Sequence, residues 1–223
     1  MNRKRVRLPF ADRAQAGSHL ASALYRMRRG DPVVLALPRG GVAVAAPVAD
    51  MLNAPLDVLV TRKIGCPGQP ELGVGAIAEG GEPVFHHDLL EKLGLEPADV
   101  VPVVDRERLE LARRVEVYRG ERRPVEVAGK DVIVVDDGLA TGGTATAALR
   151  AVRARQQGRG TVTLAVPVAS GDTVRRMRQE ADNVVVLAVP WGFRAVGQWY
   201  ETFDQLTDSD VLDLLRGRTP DGP

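Results

Sequence analysis

Five short runs of apolar residues constrain this chain more than anything else in it. They are "VVLALP" from Val33, "LDVLV" from Leu56, "VIVV" from Val132, "TVTLAVPVA" from Thr161 and "NVVVLAVP" from Asn183. None alternates cleanly between apolar and polar residues, so each strand needs cover on both faces, as in a parallel sheet between helices. Helical patterns separate them. Asp12 to Arg29 places Leu20, Leu24 and Met27 on one stripe before Gly30, and "GVAVAAPVADMLN" follows the first run. Asp105 to Arg119 is charged on one side, with Leu109, Val115 and Ala112 or Leu111 turned inward. Ala145 to Arg155 turns Ala148, Leu149 and Val152 inward, and Asp172 to Glu180 lies between the last two strands; Asp88 to Leu93 suggests a shorter helix. The expected fold is α/β: a doubly wound, mostly parallel sheet of about five strands with helices on both faces. One domain over residues 1–215 is expected, followed by a disordered tail at 216–223, "RGRTPDGP". Residues 64–81 hold six glycines and two prolines. Their first part reads as mobile, with a strand only at "VGAIA", and much of 82–130 stays unassigned.

Composition removes several function classes. A net charge of +1 gives no electrostatic footprint for nucleic acid. No run is long enough for a membrane span, and the basic start is not followed by a signal-peptide stretch, so a cytoplasmic location is the expectation. Cys66 is the only cysteine, which excludes an internal disulfide and a cysteine-clustered zinc site. His86 and His87 read as a loop-surface pair, and no GxSxG supports a hydrolase elbow.

The third run continues as "VIVVDDGLATGGT", residues 132–144. Two acids close a buried strand and a glycine–threonine loop opens the next helix. A Walker loop would need lysine where Thr144 stands, and GxGxxG is absent. Adjacent acids can accept from a vicinal diol and help hold a divalent cation. A few residues on, the amides of Thr141, Gly142, Gly143 and Thr144 at a helix N-terminus suit a phosphate. A ribose 5-phosphate is the simplest ligand offering both groups. The pair is expected to face solvent when no ligand is bound.

This stretch resembles the phosphoribosyl pyrophosphate loop of the type I phosphoribosyltransferases. "LPRGG", Leu37 to Gly41, is similar to that family's pyrophosphate loop, in which an unusual backbone presents amides and a basic side chain. "TRKIGCPG", Thr61 to Gly68, resembles the segment before the catalytic loop in the adenine branch. The likeness covers roughly residues 33–168. Gly138 departs from a usually apolar position. Ala140 replaces the aspartate of 6-oxopurine enzymes, which disfavours hypoxanthine and guanine.

The resemblance implies Mg²⁺-dependent transfer of ribose 5-phosphate from phosphoribosyl pyrophosphate to a nitrogen acceptor, as in purine salvage. Asp136 and Asp137 would hold the diol and the metal. Arg39, Arg62 and Lys63 would neutralise the pyrophosphate, while Gly40, Gly41, Gly138, Ala140 and the loop 141–144 would contact the sugar phosphate. Family members cover the site with a hood, and residues 190–215 are its candidate here. Trp191 or Phe193 would then stack on a base, although packing explains the neighbouring aromatics equally well. A homodimer is left open, and no nucleic-acid or membrane partner is implied. The alternative is a non-catalytic regulator that senses phosphoribosyl pyrophosphate.

Overall fold

A computed structural model describes residues 6–27 and 30–218. The chain runs α1 (Arg13–Tyr25), β1 (Val33–Ala36), α2 (Gly40–Leu52), β2 (Leu56–Val58), β3 (Thr61–Cys66), β4 (Gln69–Ala78), β5 (Val84–Phe85) and α3 (His87–Lys92). It continues through α4 (Val101–Arg119), β6 (Val132–Val135), α5 (Gly143–Gln156), β7 (Val162–Val168), α6 (Gly171–Met177), β8 (Asn183–Ala188) and α7 (Asp208–Leu215). Five strands form one parallel sheet in the order β2-β1-β6-β7-β8, with Val34 opposite both Leu56 and Ile133.

The non-alternating strands are covered on both faces, as their composition requires. Val34, Ala36, Ile133 and Val135 pack with α1, α2, α4 and α7 on one side. Val33, Leu35, Val132, Val134, Val162 and Leu164 pack with α5 and α6 on the other. Reversal of the strand order beside β1 and β6 opens the crevice in which ligands of such sheets sit.

Three expectations need correction. Residues 64–81 fold largely into strand: β3, β4 and β5 form a separate antiparallel sheet, with β3 and β4 turning at Pro67–Gly68. Glycines are no bar here, because at Gly65 and Gly75 a Cβ would strike the neighbouring backbone, and glycine permits the close pairing. In α4 the inward stripe is Val104, Glu107, Leu111 and Tyr118, whereas Leu109 is 75% exposed. A buried glutamate disguised that stripe, since its apolar pattern is broken where Arg62 supplies a partner. Helix α1 ends at Tyr25, which leaves Met27 half-exposed; Arg28 and Arg29 lie outside the described residues.

Arg119 ties the two sheets together from inside. Almost wholly buried, it pairs with Asp57 at 3.3 Å and with Glu79, and donates to the carbonyl of Val58 at 2.9 Å. At the C-terminal end, Arg218 pairs with Asp50 and its carbonyl accepts from Leu56. The rest of the tail, 219–223, lies outside the described residues.

Candidate active site

The loop after β6 owes its shape to α6. The carbonyl of Ala140 accepts from the Thr173 hydroxyl at 2.6 Å, and that of Thr141 from Arg176 at 2.7 Å. Gly142 takes a φ of +75°, with Thr173 packed so close that a Cβ would stand 2.7 Å from its methyl. With the carbonyls turned toward α6, no protein group among the described residues accepts from the amides of Thr141, Gly142, Gly143 or Thr144. These unpaired donors at the head of a fourteen-residue helix form an anion nest. Gly138, the departure from the usual apolar position, is explained by Val196, whose methyl fills that space.

Asp136 and Asp137 are not open to solvent as expected. Asp137 pairs with Arg13 at 2.8 Å, both side chains being mostly buried, and the Asp137 amide donates to the Asp136 carboxylate at 2.8 Å. Burial raises the pKa of Asp136 well above the ordinary value, and the adjacent Asp137 adds to the rise. Burial also raises Asp137, outweighing the opposing pull of Arg13. The LPRGG loop closes against this pair. Its Pro38–Arg39 peptide is cis, a Cβ at Gly40 would strike Asp137 Oδ2, and one at Gly41 would lie 2.8 Å from the Val135 carbonyl.

The three cations expected at the pyrophosphate are each held by a different partner. Arg39 reaches toward Asp208 at 3.8 Å, and Arg62 is held by the buried Glu107 at 2.7 Å. Lys63 donates to the Glu71 carbonyl across the hairpin. It lines a cleft of about 810 Å³ together with His86, Thr141, Gly143, Thr144 and Arg176. The aromatic segment divides in two. Tyr200 and Phe203 pack with Phe10 and Val168, and the Tyr200 hydroxyl donates to the Asp137 carbonyl at 2.6 Å. Trp191 is 98% exposed, and Phe193 stacks on Trp199 at 6.3 Å. Helix α7 packs through Val211 and Leu215 into the core shared with α2 and α4.

Residues 10–197 match the phosphoribosyl transferase domain. The chain belongs to the phosphoribosyltransferase family. It is 46% identical over 206 residues to Rv0571c of Mycobacterium tuberculosis, whose name also places it among the phosphoribosyl transferases. That alignment covers 92% of this chain but 46% of the relative, so the chain spans about half the length of the curated relatives it matches. The solved structure of TT1426 from Thermus thermophilus superposes with a TM-score of 0.79 at 43% identity, covering 95% of this chain and 99% of that one. AQ2163 from Aquifex aeolicus shares the fold at 15% identity and a TM-score of 0.50, covering 93% and 86% of the two chains. Among the described residues no helix is long and apolar enough to cross a membrane.

Sequence reasoning missed four groups around this candidate site. Arg13, His86, Arg176 and Tyr200 all lie outside the motifs and meet the loop or the diacid only through the fold. An arginine on an exposed-looking helix start and a histidine pair carry no signal of what they will face. The cleft thus sets Lys63, Lys92 and Arg176, with the acids Glu71 and Asp88 among them, beside the unpaired loop amides.

Proposed function

We propose that this phosphoribosyltransferase transfers ribose 5-phosphate from phosphoribosyl pyrophosphate to a nitrogen acceptor and releases pyrophosphate. One observation carries the reading: four unpaired amides stand a few residues beyond two adjacent carboxylates at a buried strand end. Such a site takes a phosphate and a diol on one small sugar. The acceptor nitrogen attacks the anomeric carbon as the bond to the pyrophosphate oxygen breaks, and the pyrophosphate leaves with that electron pair. Positive charge grows on the sugar ring in the transition state, where the Asp136–Asp137 pair is placed to stabilise it.

Arg39 presents the basic side chain of the LPRGG loop, and Arg62 and Lys63 sit at the root of the β3–β4 hairpin. Closure of that hairpin would bring its cations toward the leaving group and exclude water. A metal-binding cage is absent among the described residues. Two carboxylates without further protein ligands fit Mg²⁺, which is commonly held by one or two acids plus the substrate's own oxygens. Held there by Asp136 and Asp137 with the diol, it would supply Lewis-acid polarisation of the pyrophosphate.

For the acceptor, Trp191 and Phe193 offer aromatic faces beside the strand ends, and Ala140 supplies no carboxylate to a 6-oxopurine. Adenine is therefore placed ahead of hypoxanthine and guanine, consistent with purine salvage in the cytoplasm. The test is calorimetric binding of phosphoribosyl pyrophosphate with and without Mg²⁺, followed by a coupled pyrophosphate-release assay over purines, pyrimidines and simple amines. Release with one acceptor class supports the transferase. Tight binding without turnover across the panel assigns a sensing role instead, and no binding of the sugar pyrophosphate overturns both.

A further inference from the structure

Residues 82–130 carry none of the motifs, yet α4 within them reaches the arginine of the "TRKIGCPG" stretch. Glu107 is the one acid among the buried residues of that helix, set between Val104 and Leu111. Its Oε2 accepts from Arg62 Nε at 2.8 Å and lies 2.7 Å from Arg62 Nη2, so one edge of the guanidinium converges on a single oxygen. The Glu107 side chain is 11% exposed, and that of Arg62 is more open. Two residues along the same face of β3, Ile64 is fully buried in the core cluster that holds Val104 and Leu111. The pair therefore stands at the rim of a packed core, the acid inside and the arginine partly open.

The other two cations are held more loosely. Arg39 approaches Asp208 at 3.8 Å and Lys63 approaches Glu71 at 3.6 Å, and those acids are partly and fully exposed. Exposed contacts of that length contribute little and give way to a better anion. Arg62 is different, because its release would leave a mostly buried carboxylate without a cation. Its Nη1 has no acceptor among the described residues and is open to a ligand. We propose that Glu107 is a positioning residue for the pyrophosphate end of the donor, fixing Arg62 by one edge so that Nη1 meets the leaving group. The inference rests on the phosphoribosyl pyrophosphate reading given above and assigns a task to the helix that the motifs leave out. A guanidinium locked in this way loses less freedom when the ligand arrives. Arg62 lies at the root of the hairpin, opposite Ile77, so the tip at Pro67–Gly68 can close without breaking the pair. Packing does not explain the acid, since buried ion pairs replaced by apolar residues of similar volume are often as stable or more so.

The experiment compares the parent with Glu107→Gln, Glu107→Leu, Arg62→Met and the double variant Arg62→Met/Glu107→Leu. Calorimetry with phosphoribosyl pyrophosphate and Mg²⁺, calorimetry with ribose 5-phosphate, and urea unfolding are measured on each. Arg62→Met is expected to weaken phosphoribosyl pyrophosphate roughly tenfold or more and to leave ribose 5-phosphate binding unchanged. Both Glu107 variants should approach the same selective loss, although neither removes a group that touches the ligand. The double variant should unfold at a urea midpoint like the parent's or higher, and bind phosphoribosyl pyrophosphate no more weakly than Arg62→Met alone. That non-additivity is the signature of a residue acting through Arg62. If Arg62→Met does not fold with its acid left unpaired, the double variant takes its place as the limit that the Glu107→Gln loss must not exceed. Full affinity for phosphoribosyl pyrophosphate in Glu107→Gln makes the pair merely structural and overturns the proposal. Additive losses, or an equal loss of ribose 5-phosphate, overturn it as well. A parent that binds ribose 5-phosphate but not phosphoribosyl pyrophosphate removes the donor reading itself, and the role of Glu107 with it.

Discussion

The imidazole of His86 lies against Gly143, its Nε2 3.1 Å from where a Cβ on that glycine would stand. The contact joins the residue before α3 to the first residue of α5, beside the unpaired amides of the loop. Burial lowers the His86 pKa below its ordinary value, and the positive charge of Arg176 lowers it further. These surroundings favour a neutral ring in the free protein.

Two consequences of opposite sign follow for pH. Because the unfolded chain takes up the proton first, stability is fully present above the unfolded value of about 6.5 and declines as pH falls through it. A bound phosphate reverses the local field and favours the imidazolium, so wild-type affinity should gain on His86→Gln as pH drops from 8 to 6. The gain expected is about tenfold, the lower end for a hydrogen bond to a charged group. Protonation of the phosphate itself affects both proteins alike, so the ratio between them is the readout. Calorimetry with ribose 5-phosphate at three pH values measures it, and a flat ratio removes His86 from the subsite.

Gly40→Ala tests how tightly the LPRGG loop is pressed on the diacid. The new methyl would strike Asp137 Oδ2 and stand 2.6 Å from its Cγ. That carboxylate cannot swing away freely, because Arg13 holds it. Overpacking of this kind costs about 1–3 kcal/mol, read as a lower midpoint in urea. Phosphoribosyl pyrophosphate binding should weaken as well, and an unchanged midpoint would show that the loop is looser than its geometry implies.

Arg119→Met examines the junction between the two sheets. The arginine satisfies Asp57 and Glu79 where little water reaches, so its loss leaves acids with no cation between them. Removing one partner of a buried pair costs about 3–5 kcal/mol. Asp57 retains the amides of Val58 and Val125, which places the expected loss near the lower end of that range. Urea unfolding at pH 7 should show the loss as a lower midpoint, and an unchanged midpoint would mean that water or another group reaches the two acids.

The parallel sheet was legible because five strands carry apolar residues on both faces, and the loop of the candidate site because acids, glycines and threonines stand together in a short stretch. What stayed hidden depends on side chains arriving from elsewhere. Glu107 looked like part of a charged surface until Arg62 gave it a partner, so Leu109 was turned inward wrongly, while Leu111 and Val115 do pack on the core. Glycines before "VGAIA" looked like flexibility, yet Gly65 is where the Pro70 carbonyl would lie 2.6 Å from a Cβ. Arg13 sits 124 residues from Asp137, a separation that no local pattern bridges. Val196 filling the space over Gly138 is the same kind of fact: the departure in the motif and its compensation are distant in the chain.

The loop itself can be tested by separating its two constraints on Gly142. One is conformational, since its φ of +75° is a region that alanine enters at a cost of about 1–2 kcal/mol. The other is steric, since a Cβ would lie 2.7 Å from the methyl of Thr173. Gly142→Ala should therefore lower stability and also disturb the unpaired amides of the loop. Thr173→Ser removes the methyl but keeps the hydroxyl that bonds the Ala140 carbonyl at 2.6 Å. By itself Thr173→Ser is expected to cost about 1 kcal/mol for the lost buried methyl. Combined with Gly142→Ala it should be less harmful than the sum, because the steric part has been relieved while the conformational part remains. A coupling of about 1 kcal/mol or more in the double-mutant cycle, with partial recovery of ribose 5-phosphate binding, is the expected outcome. Strict additivity would mean that the loop moves away from α6 instead of pressing on it, and that the carbonyl bonds to Thr173 and Arg176 do not set the direction of its amides.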